Sequence, residues 1–120
     1  MRSLLICLVS VLLLTACVSA RARFVPYTEE AFPRTTDVEV LRTKPADRGY
    51  LELGEISLRL NRSNANNAIL ILKEKAREIG ADAIVILGEQ YRGTVAAPVG
   101  YMAVAVPVHD LVAVAIRYKR

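Results

Sequence analysis

Apolar and polar residues alternate in two stretches of the chain, and both stretches are predicted to be strands. The first covers residues 38–41 and the second covers residues 50–60, and alternation of this kind is typical of a strand with one buried face. The alternation shifts by one residue after Gly54, so a β-bulge is expected at that glycine. Residues 44–49 combine Pro, Asp and Gly and are expected to form the connecting turn.

A helix is predicted next, because apolar residues recur on one helical stripe. The stripe consists of Ala65, Ala68, Ile69, Leu72, Ala76 and Ile79. Gly80 follows as the expected left-handed residue that ends the helix. Leu70 lies roughly opposite the stripe, so it is expected to be exposed. It is either a single exposed leucine without a role or a contact with another subunit or partner.

Three further strands are expected downstream, at residues 83–87, 101–106 and 111–118. A loop at 95–100 and a turn at His109–Asp110 separate them in this prediction. The order β-β-α-β-β-β predicts an α+β fold, with one helix packed on a small mixed or antiparallel sheet. Residues 84–87 and the last two strands are richer in apolar residues than one small sheet needs, and this surplus points to an interface.

The first seventeen residues have the three-part layout of a secretory signal. Arg2 precedes an apolar stretch of eleven residues, 4–14. As a helix this stretch would reach only about 17 Å, less than the ~30 Å hydrocarbon core of a bilayer. Extension to Ala20 would approach the minimum span, so an uncleaved anchor remains an alternative.

The end of this signal, Leu14-Thr15-Ala16-Cys17, resembles the lipobox of bacterial lipoproteins. The resemblance implies that residues 1–16 are removed and that Cys17 is acylated, which would fix the chain to a lipid bilayer. Val18, rather than Asp, follows the cysteine, and in the enterobacterial sorting pattern this implies the outer membrane, facing the periplasm.

Residues 17–36 are expected to be the acylated cysteine and a flexible tether, and residues 37–120 a single domain. Pro26 and Pro33 interrupt the tether, and no helical or strand period persists there. Cys7 would leave with the signal and Cys17 would be acylated, so no disulfide is expected in the mature chain.

Composition narrows the classes of function. The chain has 120 residues, 53% of them apolar, and a formal charge of +4. Residues 1–16 hold 12 of the 64 apolar residues, so the other 104 hold 52, half of their number, as in an ordinary globular domain. With one histidine and no nucleophile motif, we expect no enzyme, no cofactor and no metal site. The basic residues are too few and too scattered for nucleic-acid binding.

The helix-to-strand joint Gly80-Ala81-Asp82-Ala83, together with residues 53–57 and 113–118, resembles a group of small envelope lipoproteins. The group is similar to the RcsF-type outer-membrane stress sensors and to the YbjQ-like domains, which are described as binding heavy metals. The resemblance covers about residues 50–118, and the disulfides of the RcsF-type sensors have no counterpart here.

We therefore predict a membrane-anchored, non-enzymatic lipoprotein that serves as a binding, assembly or stress-sensing module of the bacterial envelope. Its partner would be another envelope protein or a second copy of the chain. The alternative is a ligand-binding or heavy-metal-binding domain, as the YbjQ-like resemblance implies.

Overall fold

The predicted helix and sheet are both present in a computed structural model, which describes residues 22–120. The strands are β1 (Arg23–Pro26), β2 (Glu39–Leu41), β3 (Tyr50–Arg59), β4 (Ala83–Val99) and β5 (Met102–Tyr118). A short 3₁₀ turn, Ala65–Asn67, leads into the single described helix, α1 (Ala68–Glu78). One helix on a five-stranded mixed sheet confirms the predicted α+β class.

The five strands form one sheet in the order β1-β3-β5-β4-β2. Only β2 and β4 run parallel, and the other neighbours are antiparallel. The helix α1 packs over one face, where its buried residues Leu72 and Ala76 meet Leu53, Ile56 and Ile84. Burial of these side chains away from water is the main force that holds the helix on the sheet.

The opposite face of the central strands carries a second buried cluster, made of Ala83, Val85, Val114, Ile116 and Tyr118. Leu41 and Tyr50 pack against it. Residues 83–85 are therefore buried on both faces of the sheet.

The N-terminal boundary of the folded unit differs from the prediction. Residues 23–26, assigned to the tether, form β1 and pair with β3. Phe32 packs against the core, and the Thr35 amide donates to the Arg77 carbonyl at 3.1 Å. In the sequence, Pro26 indicates an irregular tether. It is in fact the last residue of an edge strand, a position where a missing N–H is tolerated.

The predicted interruptions in the last third of the chain are wrong. The expected loop at 95–100 belongs largely to β4, and the expected turn at His109–Asp110 lies inside β5. The two strands pair with each other along almost their whole length, joined by Gly100 and Tyr101. Ile69 also departs from the predicted stripe, since it is exposed at the start of the helix.

Two glycines occupy positions where a residue with a side chain would collide with its neighbours or be strained. Gly54 lies at the register shift between β3 and β5, which confirms the predicted bulge, and a Cβ there would collide with the Val25 carbonyl oxygen. Gly80 has a φ of 83° and ends the helix as predicted. Its amide donates to Arg77 and the next amide donates to Ala76, the two bonds of a Schellman motif.

We expect Gly54→Ala to destabilise the fold by about 1–3 kcal/mol, because the added methyl would push β1 away from β3. Gly49→Ala is the matched control, since its Cβ would meet only the flexible side chain of Lys119. The control should stay within ~0.5 kcal/mol of wild type. Urea unfolding measures both, and equal effects of the two substitutions would contradict the close packing of β1 at Gly54.

Candidate functional site

The outer parts of β4 and β5 leave the sheet together as a two-stranded ribbon. We call residues 93–108 the β-arm. The neighbouring strands stop short of it, because β3 ends at Arg59 opposite Asp110 and β2 reaches only as far as Val85. The β-arm therefore has no strand on either side, and its sixteen residues include no Asp, Glu, Lys or Arg.

The pairing register gives the β-arm two faces, one with larger side chains and one with smaller side chains. Residues that pair across an antiparallel ribbon point to the same side, and successive pairs alternate sides. One side, the valine face, carries Val95, Ala97, Val99, Met102, Val104, Val106 and Val108. The other side, the small-residue face, carries Thr94, Ala96, Pro98, Ala103, Ala105 and Pro107. Both faces are apolar, and most of their side chains are exposed.

The edges of the β-arm are blunted by one proline on each strand. Pro98 pairs with Ala103, and Pro107 pairs with Thr94. Because proline has no N–H, both must occupy positions where the N–H would point outward from the ribbon. Each proline thus removes one donor from an edge that could otherwise accept a further strand. The faces and the tip are consequently better suited to contacts than the edges.

The tip of the β-arm is its most exposed part. Gly100 has a φ of 62°, which suits the first central position of a two-residue hairpin turn. Tyr101, the second turn residue, is fully exposed at 100%. Val99 and Met102, which close the turn, are also exposed, so an aromatic ring and two aliphatic side chains are presented together.

An ionic cluster holds the base of the β-arm. Asp110 is only 5% exposed, and its two carboxylate oxygens accept from Arg59 Nε at 3.0 Å and Arg92 Nε at 3.2 Å. Arg92 also lies 3.9 Å from the Glu55 carboxylate. Because a buried carboxylate needs such partners, the cluster fixes β3, β4 and β5 together where the arm begins.

The His109–Asp110 pair does not form a catalytic dyad. Adjacent residues of a strand point to opposite faces, and Asp110 is occupied by the two arginines. The His109 ring lies edge-on to Tyr91, with the ring centroids 5.7 Å apart. The pair is therefore part of the base of the β-arm.

A cleft of about 560 Å³ lies between β1, residues 28–32 and the end of α1, and it has room for a ligand. Its lining includes Phe24, Phe32 and Ile79 with the carboxylates Glu29 and Glu78. Within residues 22–120, no group of three or more His, Cys, Asp or Glu residues is arranged to hold a metal ion.

The lipobox residues Leu14, Thr15 and Ala16 and the acylation site Cys17 lie outside the described residues. Leu70 is 61% exposed on the outer surface of α1, as its position predicted, and its role as a partner contact stays a prediction. The β-arm was missed, although sixteen consecutive residues without a charge were a visible signal.

Comparisons with known proteins add no relative. No protein-family model matches the chain, and no significant match was found among curated proteins or solved structures. In the part of the chain that the structure describes, the helix is too short and too polar to cross a bilayer.

We expect the valines of the β-arm to contribute little to folding stability. Val104→Thr on the valine face should change the free energy of unfolding by less than ~0.5 kcal/mol, because the arm makes no core. The isosteric Val112→Thr, in the buried part of the same strand, should cost about 1–3 kcal/mol, since it buries a hydroxyl. Urea unfolding compares the two, and a loss at Val104 equal to that at Val112 would contradict an arm that is independent of the core.

The far end of the sheet contains a titratable contact that should show in alkaline unfolding. The Tyr118 hydroxyl donates to the Glu39 carboxylate at 2.7 Å, and this hydrogen bond, together with burial, raises the pKa of Tyr118. The resulting stabilisation is present below the pKa of an unfolded tyrosine, about 10, and is lost as the pH rises through the higher pKa of the folded state.

Tyr118→Phe should therefore be less stable than wild type by about 0.5–1.5 kcal/mol at neutral pH, the usual contribution of one hydrogen bond. The difference should shrink above about pH 10. Urea unfolding at a series of pH values measures it, and a difference that grows with alkaline pH would contradict the assignment.

Proposed function

We propose that this protein is a lipid-anchored lipoprotein of the bacterial envelope that acts by binding, not by catalysis, and that the β-arm is its binding element. The observation that carries the proposal is the β-arm itself, an exposed ribbon of sixteen residues with apolar side chains on both faces and no charge. Exposed apolar patches of this size mark interaction sites in soluble domains.

The β-arm contributes no residue to the hydrophobic core, so folding stability does not explain its presence. The core lies between α1 and the sheet and on the far side of the central strands, and residues 93–108 are not among its members. A long apolar hairpin also carries a risk of aggregation. A segment that adds a risk and no core is best explained by a contact that the protein makes in use.

The proposed location rests on the lipobox-like Leu14-Thr15-Ala16-Cys17. Acylation at Cys17 would fix the folded unit beside a membrane, in our proposal the outer membrane, facing the periplasm. Two or three acyl chains would make this attachment effectively permanent. Assembly with an envelope protein, and a stress-sensing role, fit the same arrangement. For heavy-metal binding, the alternative from the sequence, no arrangement among residues 22–120 offers specific support.

Metabolic labelling with an alkyne analogue of palmitate tests the anchor. We expect wild type, expressed in a bacterial host, to incorporate the label, and Cys17→Ala to lose it, because the acylated atom would be gone. Cys7→Ala is the matched control, since this cysteine lies inside the predicted signal and would leave with it. Equal labelling of wild type and Cys17→Ala would refute the lipoprotein assignment.

A further inference from the structure

We infer that the partner of the β-arm is the lipid bilayer that holds Cys17, and that the tip of the arm sits in the interfacial layer of that membrane. This inference deepens the proposed function and rests on the anchor at Cys17. It is carried by the direction in which the arm projects, by its length, and by the chemistry of its surface.

The β-arm and the N-terminal entry of the chain lie at the same end of the sheet. Arg23, the first residue of β1, pairs with Ser57, and Ser57 pairs with Val112. Because β1 is antiparallel to β3, the chain enters β1 from the end where β3 stops at Arg59. The β-arm leaves the sheet at that same end, beyond Asp110.

The lengths of the two segments allow the arm to reach the membrane. Cys17 and Arg23 are six residues apart, so whatever the conformation between them, they are separated by at most about 22 Å. From Val112, which is level with Arg23, β5 runs ten residues back to Met102, or about 33 Å for an extended strand. An anchor at the bilayer surface therefore holds Arg23 so close to that surface that an arm pointing toward the bilayer extends about 10 Å past the surface.

The surface of the arm favours lipid over a second copy of the chain. Packing two valine faces together would bury one side of each ribbon and leave the small-residue face and Tyr101 in water. Strand addition is discouraged by Pro98 and Pro107 on the two edges. A lipid environment, in contrast, surrounds both faces of the outer part of the arm and the tip at once, which matches a segment that has no charged residue on any side.

The same features limit the depth of insertion. The paired segments of the β-arm have seven residues each, whereas a strand needs about 9–11 to cross a bilayer. Its edges also keep unpaired N–H and C=O groups, which cannot be satisfied in the hydrocarbon core. The interfacial layer, about 5–10 Å deep, satisfies both limits and suits the amphipathic ring of Tyr101.

Other residues at this end of the sheet are consistent with a membrane-facing surface. Arg23, Arg59 and Arg92 lie around the base of the β-arm, at the end of the sheet that faces the bilayer in this arrangement. The helix α1 begins here as well, because the turn after β3 leads into it, and its first turn exposes Ile69 and Leu70.

The test uses full-length acylated protein, purified from bacterial membranes and reconstituted into phosphatidylethanolamine–phosphatidylglycerol vesicles. The fluorophore NBD is attached at the tip through Tyr101→Cys or, as a second position, Ala103→Cys. Ala46→Cys is the matched control, since Ala46 is exposed in the loop at the opposite end of the sheet. Both labels are read with and without brominated lipids in the vesicles.

We expect the two arm labels to be blue-shifted and quenched at least about twofold by brominated lipids, as for a group at interfacial depth, and the Ala46→Cys label to be unaffected. Arm labels that are blue-shifted but not quenched would indicate burial against a second copy and overturn the inference. Arm labels that resemble the control would also overturn it. Protein that does not float with the vesicles would refute the anchor itself, and with it both proposals.

Discussion

The unequal length of neighbouring strands is the constraint on which the rest of this structure depends. β4 and β5 each have seventeen residues, whereas β3 has ten and β2 has three. Backbone pairing can therefore be completed on both sides only in the inner part of the two long strands. Beyond Asp110 the strands have only each other, and the surplus becomes a ribbon whose faces and edges must be satisfied by something outside the sheet.

The base and edges of the β-arm show how such a ribbon can be tolerated in a folded protein. The arginine pairs of Asp110 fix the point at which the arm leaves the sheet. Register shifts at Gly88 and Gly93 fall on β4 alone, so β5 continues without a bulge from the core to the tip. The prolines lower the capacity of the edges for strand addition. What remains available for contact is apolar side-chain surface.

The sequence predicts the inner part of this fold well and the outer part poorly. The bulge at Gly54 and the helix end at Gly80 were predictable, because each depends on a local backbone requirement. The continuation of β4 past residue 87 was not, because Pro98 and Gly100 are typical of loops and only pairing with β5 makes them a strand and a turn. β1 was missed for the same reason, since its four residues become a strand only against β3.

The residues of the candidate site divide in the same way, into those that local sequence predicts and those whose placement depends on strand pairing. Cys17 is predicted by a local motif, and the exposure of Leu70 by helical spacing, so both predictions can be made from the chain alone. The two faces of the β-arm depend on register, which a sequence does not specify until the partner strand is known. The position of Arg23 level with Val112 likewise follows only from two strand pairings, and these pairings place the N-terminal entry of the chain and the arm at one end of the sheet.

The central claim, that the β-arm enters the membrane interface from its tip, is tested most directly by a depth profile along the arm. Nitroxide labels placed singly at Tyr101, Ala103 and Ala105 in the acylated protein on vesicles would report collisions with oxygen and with a water-soluble nickel chelate. The account predicts the greatest depth at Tyr101 and a steady decrease toward Ala105. Equal access of the nickel chelate at all three positions, matching an exposed site such as Ala46, would contradict it.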